Sequence, residues 1–124
     1  MLSCFHRLSR LESQPLSEES MPSWTIAHRQ FHEALSAGCG STWTMRLCRL
    51  LYDKSERYRN LSAIDRKGRA RAVATEHKEL ADAAMARDAD ALCWAIERHL
   101  DFTAKLILER VAEPRATKHR MSAG

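Results

Sequence analysis

The 124-residue sequence has few aromatic residues (6%), only four glycines and only three prolines. A small β-sandwich needs frequent turns and many aromatic or β-branched residues, so this composition argues against an all-β fold. The longest uncharged run, residues 34–45, is too short for a membrane span. The first ten residues have no apolar core of the kind that a signal peptide needs, so we expect a cytoplasmic protein without a membrane partner.

The four cysteines follow no recognisable motif, because no two of them have the Cys-x-x-Cys spacing of a metal or redox site. The net charge is +4, and basic residues concentrate in the run 66–71 and in the tail after Glu113. We interpret both segments as solvated surface. Since there is no pattern for reading base edges, we expect no specific DNA binding by this chain alone.

Apolar residues recur every three or four positions in five segments, which predicts an all-α, antiparallel bundle of about five helices. The predicted helices run from Leu2 to Glu12, from about Ser23 to Gly38, from the cap Ser41 to about Leu61, from about Asp65 to Arg87, and from the cap Asp88 to Glu113. The apolar stripe of the third helix is expected to face the core; it consists of Trp43, Leu47, Leu50, Leu51, Tyr58 and Leu61. Residues 1–111 are expected to form the domain and residues 112–124 a disordered basic tail.

Four of the six histidines lie on the apolar faces of three predicted helices: His28, His32, His77 and His99. A single inward histidine is usually a core residue that bonds to a carbonyl or a carboxylate. Burying several imidazoles without partners costs about 1–3 kcal/mol apiece, and one metal ion bound by all four would remove that cost. The i,i+4 spacing of His28 and His32 places both rings on one face. The sequence therefore predicts a metal site at these four residues.

An enzyme of the zinc-hydrolase type is not favoured. Such a helix reads His-Glu-x-x-His, with the glutamate as general base, whereas Arg29 stands at the glutamate position here. Glu76 and Glu97 are predicted to point away from the core, and we find no pair of nucleophile and base. We therefore expect a protein that is not an enzyme.

Cationic residues interrupt the stripe of the third helix. Lys54 lies near its centre and Arg57 at its edge, while Arg59 is predicted to point to the opposite side. Long stems of this kind often reach past a core to water. The alternative is that Lys54 and Arg57 lie beside the metal and bind an organic carboxylate.

Several segments resemble, in order and spacing, the FCD domain, which is the C-terminal effector-binding and dimerisation domain of FadR-subfamily GntR transcriptional regulators. The matching segments are Phe31-His32-Glu33-Ala34-Leu35, residues 51–59, Glu76-His77, Arg87-Asp88-Ala89-Asp90 and His99-Leu100. The resemblance extends over about residues 5–108. The stretch from Trp24 to Tyr58 is most similar to the branch of carbon-starvation-induced regulators.

The resemblance implies a helical bundle in which an Asp and three His hold a divalent metal that helps to bind a small organic acid, such as a dicarboxylate or a hydroxy acid. By position, the three histidines are His32, His77 and His99, and His28 stands where the family has Asp. Four nitrogen ligands suit zinc, nickel or copper better than a hard ion. The implied partners are a small carboxylate effector, whose binding is expected to weaken below about pH 6.5, and a second copy of the chain.

The family also carries an N-terminal winged helix-turn-helix and an opening helix that this sequence does not contain, so we expect an N-terminally truncated form. Two functions follow as hypotheses. One is a metal-assisted sensing and dimerisation domain of a transcriptional regulator. The other is a truncated helical remnant that senses nothing, or that acts by pairing with full-length relatives.

Overall fold

The structure, a computed structural model, describes residues 1–64 and 69–112. This part of the chain forms five α-helices and no strand: α1 (Leu2–Glu12), α2 (Met21–Ser36), α3 (Thr42–Ile64), α4 (Arg69–Met85) and α5 (Ala89–Ala112). The predicted all-α bundle of five helices is confirmed. The predicted start of the fourth helix at Asp65, the beginning of the basic run and the tail at 113–124 lie outside the described residues.

Two predicted helix caps are present. The backbone N–H of Thr44 donates to Oγ of Ser41 at 3.2 Å, and the N–H of Ala91 donates to Oδ1 of Asp88 at 2.9 Å. The predicted start of the second helix at Ser23 is wrong, because α2 begins at Met21 with a proline in its first turn. Proline fits there because its missing N–H is among those that a helix leaves unpaired.

The core lies where α1, α2, α4 and α5 meet. Its buried hydrophobic residues are Leu8, Trp24, Ala27, Phe31, Leu80, Ala81, Ala95 and Leu106. Each fully buried large side chain among them contributes about 1.5–3 kcal/mol. Three buried polar residues share this interior: His28, His77 and His99. The core is therefore built around imidazole rings, and they form the candidate site described below.

The stripe of α3 does not face the core. Trp43 is 79% exposed, and the other stripe residues whose side chains are described (Leu47, Leu50, Leu51 and Tyr58) are at least 41% exposed. The expectation that these five residues are buried is wrong. The face of α3 that turns inward instead carries Tyr52, Ser55 and Arg59, which share one side of a helix at spacings of three and four residues. Within the described residues, no helix is both long and apolar enough to span a membrane.

Candidate metal centre

The four predicted histidines converge in the bundle interior from three helices. His28 and His32 come from α2, His77 from α4 and His99 from α5. Each offers one ring nitrogen, and these four atoms all lie within 4.8 Å of one another. The ring centroid of His77 lies 4.9 Å from the ring centroid of His28 and 4.9 Å from that of His99. The structure thus brings together all four residues that the sequence assigned to a metal.

Three of the rings are oriented by partners outside the cluster. The Nδ1 atom of His77 lies 2.9 Å from Oε1 of Glu12, and Nδ1 of His99 lies 2.7 Å from Oε2 of Glu76. An ionised carboxylate only accepts hydrogen bonds, so Nδ1 carries the hydrogen in both rings and Nε2 is left as the ligand atom. The Nδ1 atom of His28 lies 2.6 Å from the hydroxyl of Tyr52. Outer partners of this kind are typical of metal-bound histidines.

The Nε2 atom of His77 supplies a direct test of whether the cluster fits a metal ion. This atom is buried and has no hydrogen-bond partner among the described residues. A buried polar atom left in that state costs about 1–3 kcal/mol. The Nε2 atoms of His28 and His32 are 3.2 Å apart, close to the roughly 3.3 Å between two ligands of a tetrahedral zinc ion with 2.0–2.1 Å bonds. The cluster therefore fits a nitrogen-bound transition metal.

Burial keeps the rings in the neutral form that a metal needs. Burial lowers the pKa of His28 and that of His32 well below the ordinary 6.5, and the neighbouring histidines lower both further because positive charges repel. Burial, and then the proximity of His99, lower the pKa of His77 to about 3. At neutral pH each of these three rings is therefore uncharged and keeps one nitrogen lone pair for a metal ion.

The structure does not place the two predicted carboxylate-binding cations near the histidines. Lys54 and Arg57 are exposed, neither lines the cavity beside the cluster, and the guanidinium carbon of Arg57 lies 5.4 Å from the ring centre of Tyr58. Arg59 instead lies on the inner face of α3 and lines the cavity, so its predicted outward direction is wrong. Its guanidinium carbon lies 3.3 Å from the ring centre of Tyr52, and its Nη2 donates to the Tyr52 carbonyl at 2.7 Å.

Sequence reasoning also missed the two carboxylates. Glu76 was predicted to point outward, but its side chain is only 16% exposed and bonds to His99. The sequence did carry a weak signal for it, namely its position one residue before an inward histidine. Glu12 carries no such signal, because it lies 65 residues from His77 at the end of another helix.

A cavity of about 700 Å³ opens beside the cluster. Its walls come largely from α2, α3 and α5, and they include His28, His32, His99 and Arg59. A ligand in this cavity can therefore reach three of the four histidines and the guanidinium groups of Arg49 and Arg59.

Comparison with known proteins identifies a family and two relatives. The model of the FCD domain family matches residues 5–102. The chain is 37% identical over 109 residues (86% of its length and 44% of the relative's) to the uncharacterized HTH-type transcriptional regulator BphR of Paraburkholderia xenovorans (strain LB400). It is 41% identical over 54 residues (44% of its length and 24% of the relative's) to the HTH-type transcriptional repressor GlaR of Escherichia coli (strain K12). The chain thus spans less than half the length of either relative, and no solved structure matches.

Proposed function

Since this chain belongs to the FCD domain family, we propose that it is the effector-binding part of a GntR-type transcriptional regulator, with its four histidines holding a divalent transition metal. Both relatives carry names of HTH-type transcriptional regulators, which supports a regulatory role over an enzymatic one. The assignment to the FadR subfamily and to its carbon-starvation branch remains a prediction. The observation that carries the metal proposal is the convergence of four imidazoles, one with an unpartnered buried Nε2.

The ligand set favours zinc or nickel. His28, His32, His77 and His99 offer neutral nitrogens, which suit these ions better than magnesium or calcium. Glu12 and Glu76 fix the rings of His77 and His99 through Nδ1 and so aim Nε2 at the centre. If the bound ion took a fifth ligand beside these four nitrogens, it would offer a Lewis-acid position to one oxygen of a carboxylate effector.

Arg59 is the residue that we assign to the remaining charge of the effector. It lines the same cavity as His28, His32 and His99. Its positive charge is close enough to lower the pKa of both His28 and His32. Its guanidinium plane is held against Tyr52, so a carboxylate would meet donors that are already ordered.

A second function is supported by the exposed apolar stripe of α3. A face with Trp43 and several leucines in water favours association. The alternative is therefore a helical domain that pairs with a second copy or with full-length relatives and senses no effector.

Calorimetry separates the two functions. We expect the zinc-loaded protein to bind acetate, and we expect binding to be lost in chelator-stripped protein and in the variant His77→Ala. The control His6→Ala removes a histidine that is exposed and outside the cluster, and it should behave as the wild type. Equal acetate affinity in all four samples would overturn the role of the metal.

A further inference from the structure

We infer that the effector of this chain is a monocarboxylate with an apolar body, aromatic or aliphatic, of about eight carbon atoms or more, and not the dicarboxylate or hydroxy acid that the family resemblance implies. This inference rests on the proposed function, because it takes the histidine cluster and Arg59 as the place where the carboxylate binds. The new part of the inference concerns the portion of the ligand that extends away from the carboxylate.

The size of the cavity favours a ligand larger than a short acid. Its volume of about 700 Å³ lies within the roughly 300–1,000 Å³ of sites that enclose drug-sized ligands. An acid of two to four carbon atoms would fill a small part of that space. The remainder would hold water against apolar walls, which is unfavourable compared with filling it by hydrocarbon.

The cavity walls away from the histidines favour a ligand with a hydrocarbon body. They are largely aliphatic and come from α2, α3 and α5, and they include Leu35, Met45, Leu51, Leu92, Ile96 and Leu106. Hydrocarbon buried against such walls contributes about 0.8 kcal/mol per methylene, or roughly a fourfold gain in affinity. A hydroxyl or carboxylate placed against these six side chains would lose its water without gaining a partner from them.

The other charged groups around the cavity are either paired within the protein or open to solvent. Glu12 accepts from His77 and from Trp24. Arg49 is half exposed, and its Nε atom lies 3.6 Å from Oε1 of Glu33. Because Arg49 is half exposed, an ion pair between it and a second carboxylate of the ligand would contribute little. The histidines and Arg59 are therefore assigned to the carboxylate, and the aliphatic walls to the rest of a monocarboxylate.

The test is calorimetry on the zinc-loaded chain with acetate, butanoate, hexanoate, octanoate and phenylacetate, together with succinate and malate. We expect the affinity to rise about two- to fourfold with each added methylene. Phenylacetate should bind at least tenfold more tightly than acetate. Succinate is the matched control for butanoate, since both have four carbons, and it should bind more weakly.

Two leucines of α3 provide a matched pair of variants. Leu51 and Leu47 are 59% and 56% exposed, so neither change should prevent folding, but of these two only Leu51 lines the cavity. We expect Leu51→Asn to weaken octanoate binding severalfold and to leave acetate binding unchanged. Leu47→Asn should leave both unchanged.

The outcomes distinguish this inference from the proposed function. Metal-dependent binding that does not change with chain length, or that favours succinate over butanoate, would overturn the inference and leave the proposed function standing. Octanoate that binds equally well after the metal is stripped would support the apolar site and overturn the role of the metal. If none of these acids binds, both are overturned.

Discussion

His77 and Glu12, 65 residues apart in the sequence, form a buried pair that joins α4 to α1: Nδ1 of the imidazole lies 2.9 Å from Oε1 of the carboxylate, and their side chains are 0% and 4% exposed. The same carboxylate accepts a hydrogen bond from the indole of Trp24 at 3.0 Å. The pair therefore ties the first helix to the core. It also leaves Nε2 of His77 as the atom that faces the other histidines.

We expect Glu12→Ala to weaken zinc binding, because His77 would lose the partner that fixes its ring and its tautomer. Loss of such an outer partner typically costs 10–100-fold in metal affinity. Glu12→Gln should reduce the zinc affinity less, since the amide oxygen can still accept a hydrogen bond from Nδ1 of His77. The measurement is competition for zinc with a chromophoric chelator.

The control for this experiment is Glu18→Ala, which removes an exposed carboxylate from the segment between α1 and α2. It should bind zinc as the wild type does. Unchanged zinc affinity in Glu12→Ala, in a variant that remains folded, would contradict the role assigned to this carboxylate.

Arg59 and the two sequence-predicted cations allow a second test. We expect Arg59→Gln to reduce acetate affinity about tenfold or more, in line with the roughly 1.5–3 kcal/mol of a hydrogen bond to a charged group. Lys54→Gln and Arg57→Gln should leave it unchanged, because both residues are exposed and lie outside the cavity lining. If either of these controls weakens acetate binding as much as Arg59→Gln, the assignment of the inner cation is wrong.

The histidine cluster also predicts how stability depends on pH in the metal-free protein. In the folded chain the pKa of His77 is lowered to about 3, while in the unfolded chain it is near 6.5. The unfolded state therefore binds more protons between these values, so stability is full above pH 6.5 and falls as the pH decreases towards 3. From pH 6.5 to 5 this residue alone should cost about 2 kcal/mol, and His28 and His32 act in the same direction.

Urea unfolding at pH 7 and pH 5, in the presence of a chelator, measures this effect. The variant His77→Leu should show a smaller loss between the two pH values than the wild type. An equal loss of stability in the wild type and in His77→Leu would show that the buried ring does not resist protonation. For the same reason, the loss of metal by proton competition, expected from the sequence near pH 6.5, should occur at a lower pH in the folded protein.

Features that depend on residues close together in the sequence could be predicted, whereas contacts between distant helices could not. Ser41 and Asp88 were identified as caps because a cap depends on residues three positions away. His28 and His32 were identified because their i,i+4 spacing and apolar neighbours are local. The contact between Glu12 and His77 was not, since it depends on how two distant helices pack.

The orientation of α3 shows the same limit. Its apolar stripe predicted a buried face, yet Leu47 and Leu50 are exposed and Tyr52 and Arg59 turn inward. Periodicity identifies the faces of a helix but not which one the neighbours cover. Here the interior already contains polar rings, and Tyr52 meets one of them through its hydroxyl.

The exposed apolar residues predict self-association. Leu108 and Val111 at the end of α5 are 68% and 67% exposed, and large apolar side chains in water, here and on the α3 stripe, favour association. We expect sedimentation equilibrium to give about twice the chain mass of 14.2 kDa. The double change Leu108→Glu and Val111→Glu should shift the protein towards the monomer, whereas Ser3→Glu on α1 should not. A wild-type monomer at high concentration would contradict this prediction.

X-ray absorption at the zinc edge of the loaded chain tests the metal site most directly. The account predicts a first shell of nitrogen or oxygen at about 2.0–2.1 Å, with outer-shell scattering from three or four imidazoles. Cys48 and Cys93 also line the cavity, so thiolate coordination is a real competitor. Sulfur at about 2.3 Å, or fewer than three imidazoles, would contradict the assignment of His28, His32, His77 and His99 as the metal ligands.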